Sequence, residues 1–194
     1  MTTVQGLTPL MAAAGLGFWD GESPGPLTGV PESESVEAVR MTLELGNDIN
    51  AVADFGGPQL EGDGGTLLRR HPLNFEKYDG PHVAPLDVIP PKDSLGDMRW
   101  TGSTALHGAA MRGANAIVQF LVDHGAKIDG RNKLGWTPLM CAEGVFVANT
   151  EKDWPETVTL IRKLMQDRGL NPDLYNQASI GVVTKATRAR VAQK

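Results

Sequence analysis

Apolar residues recur at helical spacing in three segments of this 194-residue chain, and each segment ends in glycine. The segments run over residues 35–46, 116–125 and 157–169. In the second of them, Ile117, Phe120 and Leu121 would fall on one side of a helix. Glycine readily adopts the left-handed conformation that closes many helices. We therefore predict three amphipathic helices that end at Gly46, Gly125 and Gly169.

A second repeated block precedes each of these helices. It reads Thr-Pro-Leu-Met at 8–11 and 137–140, and Thr-Ala-Leu-His at 104–107, with a glycine two positions before each Thr. Threonine caps a helix N-terminus well, and proline is tolerated in the first turn, where its missing N–H is not needed. Each block thus predicts a short first helix. The structural positions would be Thr8, Pro9, Leu10, Thr104, Leu106, Thr137, Pro138 and Leu139.

The second and third blocks lie 33 residues apart. In this period, and in the Thr-Pro-Leu block followed by an amphipathic helix, the chain resembles the ankyrin-repeat family. The best copy runs from Gly102 to Asp129, and the resemblance covers about 110 residues. It implies a mainly α fold, an ankyrin-type helix-turn-helix solenoid of three repeats with short hairpin fingers. It also implies a buried role for His107, which would tie neighbouring repeats together through backbone hydrogen bonds. Met11 and Met140 replace this histidine in the other copies.

Insertions interrupt the repeats, and they hold much of the chain's 23 glycines and 13 prolines. A long irregular insertion of about 46 residues beyond the repeat period falls on the finger side, where it would be either an ordered lid or a free linker. The expected order is repeat 1 over 1–53, the insertion over 54–100, repeat 2 over 101–134, repeat 3 over 135–177, and a degenerate cap or basic tail over 178–194. Repeat 1 would contain an inserted loop at about 15–35, and repeat 3 one at about 144–155.

Composition excludes several classes of protein. A formal net charge of −5 argues against general nucleic-acid binding, and a single cysteine excludes an internal disulfide. No apolar run approaches the roughly 18–20 residues of a membrane span, so no membrane association is expected. No signal peptide is visible, which makes the cytoplasm the default location. We also expect the sequence to be a piece of a longer ankyrin-repeat protein, with an N-terminus that could be truncated.

Known catalytic motifs are not found in the sequence. The one cluster of histidines and carboxylates contains His71, Glu76, Asp79, His82 and Asp87, whose spacing matches no metal motif. Cys141 would be a packing residue. We therefore predict no enzymatic activity, no cofactor, no metal and no small-molecule substrate.

The resemblance implies a non-catalytic module that binds an unknown protein partner through its concave face and finger tips. Carried over position by position, the partner contacts would be Arg99, Trp100, Ser103, Met111, Arg112, Asn115, Lys133, Leu134 and Trp136. Two alternatives stay open: an enzyme or metal site formed by residues 71–87, and a structural spacer in a larger multidomain protein.

One residue departs from the repeat pattern. Glu143 stands where the best copy has Ala110, a position that the family keeps small. A buried unpaired carboxylate would cost several kcal/mol, so two arrangements are considered. Either the backbone unwinds at Gly144 and exposes the side chain, or Glu143 makes a buried hydrogen bond into the inserted loop that follows, for example to the backbone near Trp154.

Overall fold

The computed structural model describes residues 2–3, 6–16, 31–54, 101–132, 135–144 and 153–176. Within these ranges the chain forms six α-helices and no strand. The helices form three pairs, each with a short first helix and a longer or equal second helix. They are α1 (Pro9–Ala13) and α2 (Glu32–Glu44), α3 (Ala105–Met111) and α4 (Asn115–Asp123), and α5 (Pro138–Ala142) and α6 (Pro155–Gln166), followed by a 3-10 turn at Pro172–Leu174.

The first helices begin at the predicted threonines. The hydroxyl oxygen of Thr8 accepts a hydrogen bond from the backbone N–H of Met11 at 3.1 Å, and Thr137 accepts one from Met140 at 3.2 Å. A proline follows both caps as the first helical residue. These bonds satisfy N–H groups that have no partner inside the helix, so the predicted caps at Thr8 and Thr137 are confirmed.

The second helices end at the predicted glycines. Gly46, Gly125 and Gly169 all have positive φ angles, between 73° and 96°. In each case the residue after the glycine donates its N–H to a carbonyl five residues back, at 2.9 to 3.3 Å. This arrangement satisfies carbonyls at the end of the helix, and a side chain at the glycine would be strained. The three predicted helix ends are therefore confirmed.

Stacking of the pairs builds one continuous core. Leu10, Leu106 and Leu139, which occupy the same position in successive first helices, are fully buried. Burying a leucine side chain contributes roughly 1.5–3 kcal/mol. Ala109 and Ala142, which follow Leu106 and Leu139 by three residues, are also buried completely. Each repeat therefore buries its apolar face against its neighbour, as in other solenoids.

Three hairpin fingers share one hydrogen-bond register. In each finger the first residue donates its N–H across the hairpin, and a glycine N–H donates back to the carbonyl of that first residue, with all six distances between 2.8 and 3.0 Å. The glycines have φ angles of 67° to 81°, which L side chains rarely adopt. The fingers are closed by Thr3, Gly6 and Leu7, by Ala53, Gly102 and Ser103, and by Asn132, Gly135 and Trp136.

The long insertion begins and ends inside the second finger. Between Asn132 and Gly135 the third finger has two residues, whereas 48 residues separate Ala53 from Gly102. The two backbone hydrogen bonds of the second finger nevertheless measure 2.9 and 2.8 Å, like those of the other fingers. The insertion therefore leaves and re-enters the stack without changing the register of the repeat. Its own residues, 55–100, lie outside the described part of the chain.

His107 joins the second repeat to the third finger. It is completely buried, and its Nε2 donates to the carbonyl of Trp136 at 3.1 Å. Its Nδ1 accepts from the backbone N–H of Thr104 at 3.2 Å, which fixes the neutral tautomer. Burial lowers the pKa of His107 to about 4, although the backbone carbonyls of Trp136 and Gly130 act in the opposite direction. The resemblance implied this role, and the geometry confirms it.

Removal of the insertion gives the first prediction. Deleting residues 55–100 joins Asp54 to Thr101 and leaves a two-residue finger tip like that of the third finger. Each halving of a loop lowers its closure cost by about 0.6 kcal/mol, so we expect equal or higher stability in urea unfolding followed by circular dichroism. Loss of a cooperative transition would mean that the insertion is part of the core.

The buried histidine gives the second prediction. Its pKa is depressed from about 6.5 in the unfolded chain to about 4 in the folded chain, so the unfolded state binds more protons between these values. Stability should be fully present above about pH 6.5 and fall towards pH 4, by at most about 1.4 kcal/mol per pH unit.

The matched control is His107→Met, because methionine is the natural residue at this position in the other two repeats. Urea unfolding across pH 4.5–7 should show a flatter profile for this variant than for the unsubstituted chain. Identical slopes would contradict the assignment of His107 as a neutral structural bridge.

Candidate partner-binding surface

Two residues expected to face a partner are instead buried between fingers. Ser103 is 1% exposed and Trp136 is 6% exposed. Asn132 joins them, because its Oδ1 accepts from the backbone N–H of Trp136 at 3.0 Å and its Nδ2 donates to Oγ of Ser103 at 3.2 Å. This corrects the expectation for both residues: they are buried in the stack, where Asn132 links Ser103 of the second finger to the third finger.

Met111 and Arg112, two further candidates, lie at the turn between α3 and α4. The carbonyl of Met111 accepts a hydrogen bond from Nε1 of Trp154 at 2.8 Å. One repeat earlier, the carbonyl of Gly15 occupies the equivalent position and accepts from Nε of Arg112 at 2.7 Å. A side chain of the following repeat thus satisfies a carbonyl just after α1 and another at the end of α3. The structure assigns both residues to contacts between repeats, along the edge opposite the fingers.

Asn115, the last first-helix candidate, lies at the N-terminus of α4. Its Oδ1 accepts a hydrogen bond from the hydroxyl of Thr157 in α6 at 2.7 Å. On the other side of α4, the backbone N–H of Ala116 donates to Oε1 of Glu32 in α2 at 2.8 Å. Because α4 has no side-chain cap of its own, the neighbouring helix supplies an acceptor for its N-terminus.

Four predicted contacts lie outside the described residues. Arg99, Trp100, Lys133 and Leu134 would form the tips of the second and third fingers. Their assignment as partner contacts stays a prediction.

Arg131, which sequence reasoning missed, is an exposed residue beside the third finger. Its Nη1 donates to the carbonyl of Gly135 at 2.7 Å, and its guanidinium lies 5.6 Å from the ring centroid of Tyr175. These contacts hold a positive charge in place at the base of the finger. The feature of the sequence that could have identified Arg131 is its position two residues before Lys133, a predicted contact.

On the finger side of the stack, a side chain also links the first repeat to the second. Nδ2 of Asn50 donates to the carbonyl of Gly125 at 3.1 Å, and the backbone N–H of Lys127 donates to Oδ1 of Asn50 at 2.8 Å. One amide side chain therefore bridges two loops that are 75 residues apart in the chain.

Glu143 lies just after the end of α5 and forms an ion pair with the second helix of its repeat. Its side chain is 18% exposed, and its Oε1 lies 3.3 Å from Nη2 of Arg162. The other terminal nitrogen of Arg162, Nη1, contacts Oδ1 of Asp173 at 2.9 Å. The backbone N–H of Trp154 donates to the carbonyl of Ala142 at 2.9 Å. The carboxylate is therefore compensated by an arginine of α6, the second helix of its own repeat.

Few groups in the described ranges suit catalysis. No set of three or more His, Cys, Asp or Glu side chains in these ranges could hold a metal ion. Cys141 is buried in α5, and burial raises the pKa of its thiol far above the usual range. Among the same residues, no helix has the length and apolar character needed to cross a membrane. The histidines and carboxylates at 71–87 lie outside the described residues.

Comparison with known proteins agrees with this architecture. A family model described as ankyrin repeats in three copies matches residues 86–145. The chain is 31% identical over 145 residues to ankyrin repeat domain-containing protein 13C of Mus musculus, a match that covers 74% of this chain and 24% of that protein. The chain thus spans about a quarter of the length of this curated relative. With its helix pairs, fingers and capped repeats, this chain is a member of the ankyrin-repeat family.

Proposed function

We propose that this chain is a non-catalytic protein-binding module that engages its partner through the finger side of the stack. The observation that supports the proposal is the common register of the three fingers, which are closed by the same two backbone hydrogen bonds in each repeat. The opposite edge, formed by the turns between first and second helices, is occupied by contacts between repeats. Ankyrin repeats are generally protein-interaction modules, and the described residues contain no metal-binding group that would favour an enzyme.

The chemistry of the finger side favours a partner segment that is acidic and partly apolar. Arg131 is exposed, and the predicted tips add Arg99 and Lys133 together with the apolar Trp100 and Leu134. Tyr175 and the carbonyl of Gly135 already orient Arg131. An ordered arginine loses less conformational freedom on binding, and arginine and tryptophan are common at interface hot spots.

Charge reversal on the third finger gives the third prediction. Arg131→Glu and Lys133→Glu should each weaken partner binding by about tenfold or more, because each replaces attraction to an acidic segment by repulsion. Proteins retained by the immobilised chain would be identified, and the affinity of a purified partner would then be measured by isothermal titration calorimetry.

Lys163→Glu is the matched control, since Lys163 is exposed on α6 away from the fingers and its substitution makes the same change in charge. It should leave the affinity unchanged. Equal affinity for both finger variants and the unsubstituted chain would refute the proposed surface. Retention of no protein at all would favour a structural spacer.

A further inference from the structure

Each second helix turns the same side towards the second helix of the preceding repeat. On α4, Asn115 lies on the side that contacts α6, through Thr157. At 100° per residue, Ile117 and Phe120 lie on the opposite side of α4, towards α2. Ile117 is 4% exposed.

The equivalent residues of α6 face α4 in the same way. Counting back eight and five residues from the terminal glycine of each helix relates Ile117 and Phe120 to Ile161 and Leu164. Ile161 is fully buried and Leu164 is 5% exposed. These two positions are therefore the packing positions of the second helices.

On α2 the same two positions hold Ala38 and Met41, and both are exposed. Met41 is 52% exposed, and Leu45, just before the terminal glycine of α2, is 80% exposed. We call these three residues the α2 face. It has the geometry of a helix-packing surface that is repeated twice inside the stack, and exposed apolar stripes of this kind mark interaction sites.

The outward side of α6, at the other end of the described stack, has a different character. The exposed residues there are Thr159, Lys163 and Gln166, which are polar and suit contact with water. The apolar α2 face is thus a property of one end of the described stack.

Acidic residues lie along one flank of the α2 face and at its N-terminal end. Glu34 lies one turn before Ala38 on the same side of the helix, and Glu37 and Glu44 border it. Arg40 is the one basic residue of α2, and it forms ion pairs with both Glu37 and Glu44. Two copies of the chain would bring these acids together, which disfavours self-association.

We propose that the α2 face docks an amphipathic helix of a partner protein, with an apolar stripe flanked by lysine or arginine. The docked helix continues the internal packing, in which each second helix lies against the next. Its basic side chains pair with Glu34 and compete with Arg40 for Glu37 and Glu44. This is recognition of a helix by an apolar surface with charge complementarity, at a site separate from the fingers.

The experiment uses the whole chain and two synthetic 20-residue helical peptides. Both carry the same apolar stripe, and they differ only in having lysine or glutamate at the flanking positions. Fluorescence anisotropy should show binding of the lysine peptide and at least tenfold weaker binding of the glutamate peptide. In the unsubstituted chain, the ε-methyl NMR signal of Met41 should shift when the lysine peptide is added.

Substitution localises the binding. Met41→Asp with Leu45→Asp should weaken binding of the lysine peptide at least tenfold. The matched control, Thr159→Asp with Gln166→Asp on α6, adds the same charge at exposed positions and should have no effect.

Three results would overturn the proposal. They are no binding of the lysine peptide, equal binding to the α2-face variant, and a dimer of the chain alone that Met41→Asp abolishes. The last would identify a second copy as the occupant. The Met41 signal reports on the folded, unsubstituted chain, so the proposal stays testable if a variant fails to fold.

Discussion

Closure of each finger by two backbone hydrogen bonds is the interaction on which this architecture depends. A glycine in the left-handed region allows the chain to reverse within a few residues, so that the capping threonine starts the next first helix at a fixed place. The same closure at Ala53 and Gly102 keeps the repeat in register across 48 intervening residues. Without it, the first repeat would be joined to the second only by a long connection, with nothing to fix its register on the next repeat.

Side chains then bridge repeats wherever helix ends or loops leave backbone groups without partners. Asn50, Arg112 and Trp154 each bond a carbonyl of a neighbouring repeat, and His107 bonds a carbonyl of the third finger. A hydrogen bond of this kind contributes only about 1 kcal/mol net, whereas a buried group left unpaired costs about 1–3 kcal/mol. The bridges therefore fix the alignment of the repeats, while apolar burial in the helices supplies most of the stability.

Much of the scaffold was predictable because it follows from local rules. Thr8 and Thr137 cap helices in any context that leaves N–H groups free, and Gly46, Gly125 and Gly169 close helices because they tolerate positive φ. The position of the insertion followed from the 33-residue period. These inferences needed only spacing and the conformational preferences of single residues.

The candidate site was less predictable because it depends on contacts between distant residues. The resemblance implied that Ser103 and Trp136 face a partner, but both are buried and hydrogen-bonded to Asn132, which bridges two fingers. The role of Arg112 depends on a carbonyl at Gly15, and the partner of Glu143 is Arg162, 19 residues away. The exposure of Met41 was likewise not evident, because its helix has the same apolar spacing as two helices whose equivalent residues pack against a neighbour.

Hydrogen exchange at the second finger is the most direct test that one continuous stack spans the insertion. The amides of Ala53 and Gly102 should exchange as slowly as those of Asn132 and Gly135, because the same two bonds close both fingers. This can be followed by NMR of the whole chain in deuterated buffer. Exchange of Ala53 and Gly102 at the rate of an unstructured peptide, with Asn132 and Gly135 protected, would contradict the account.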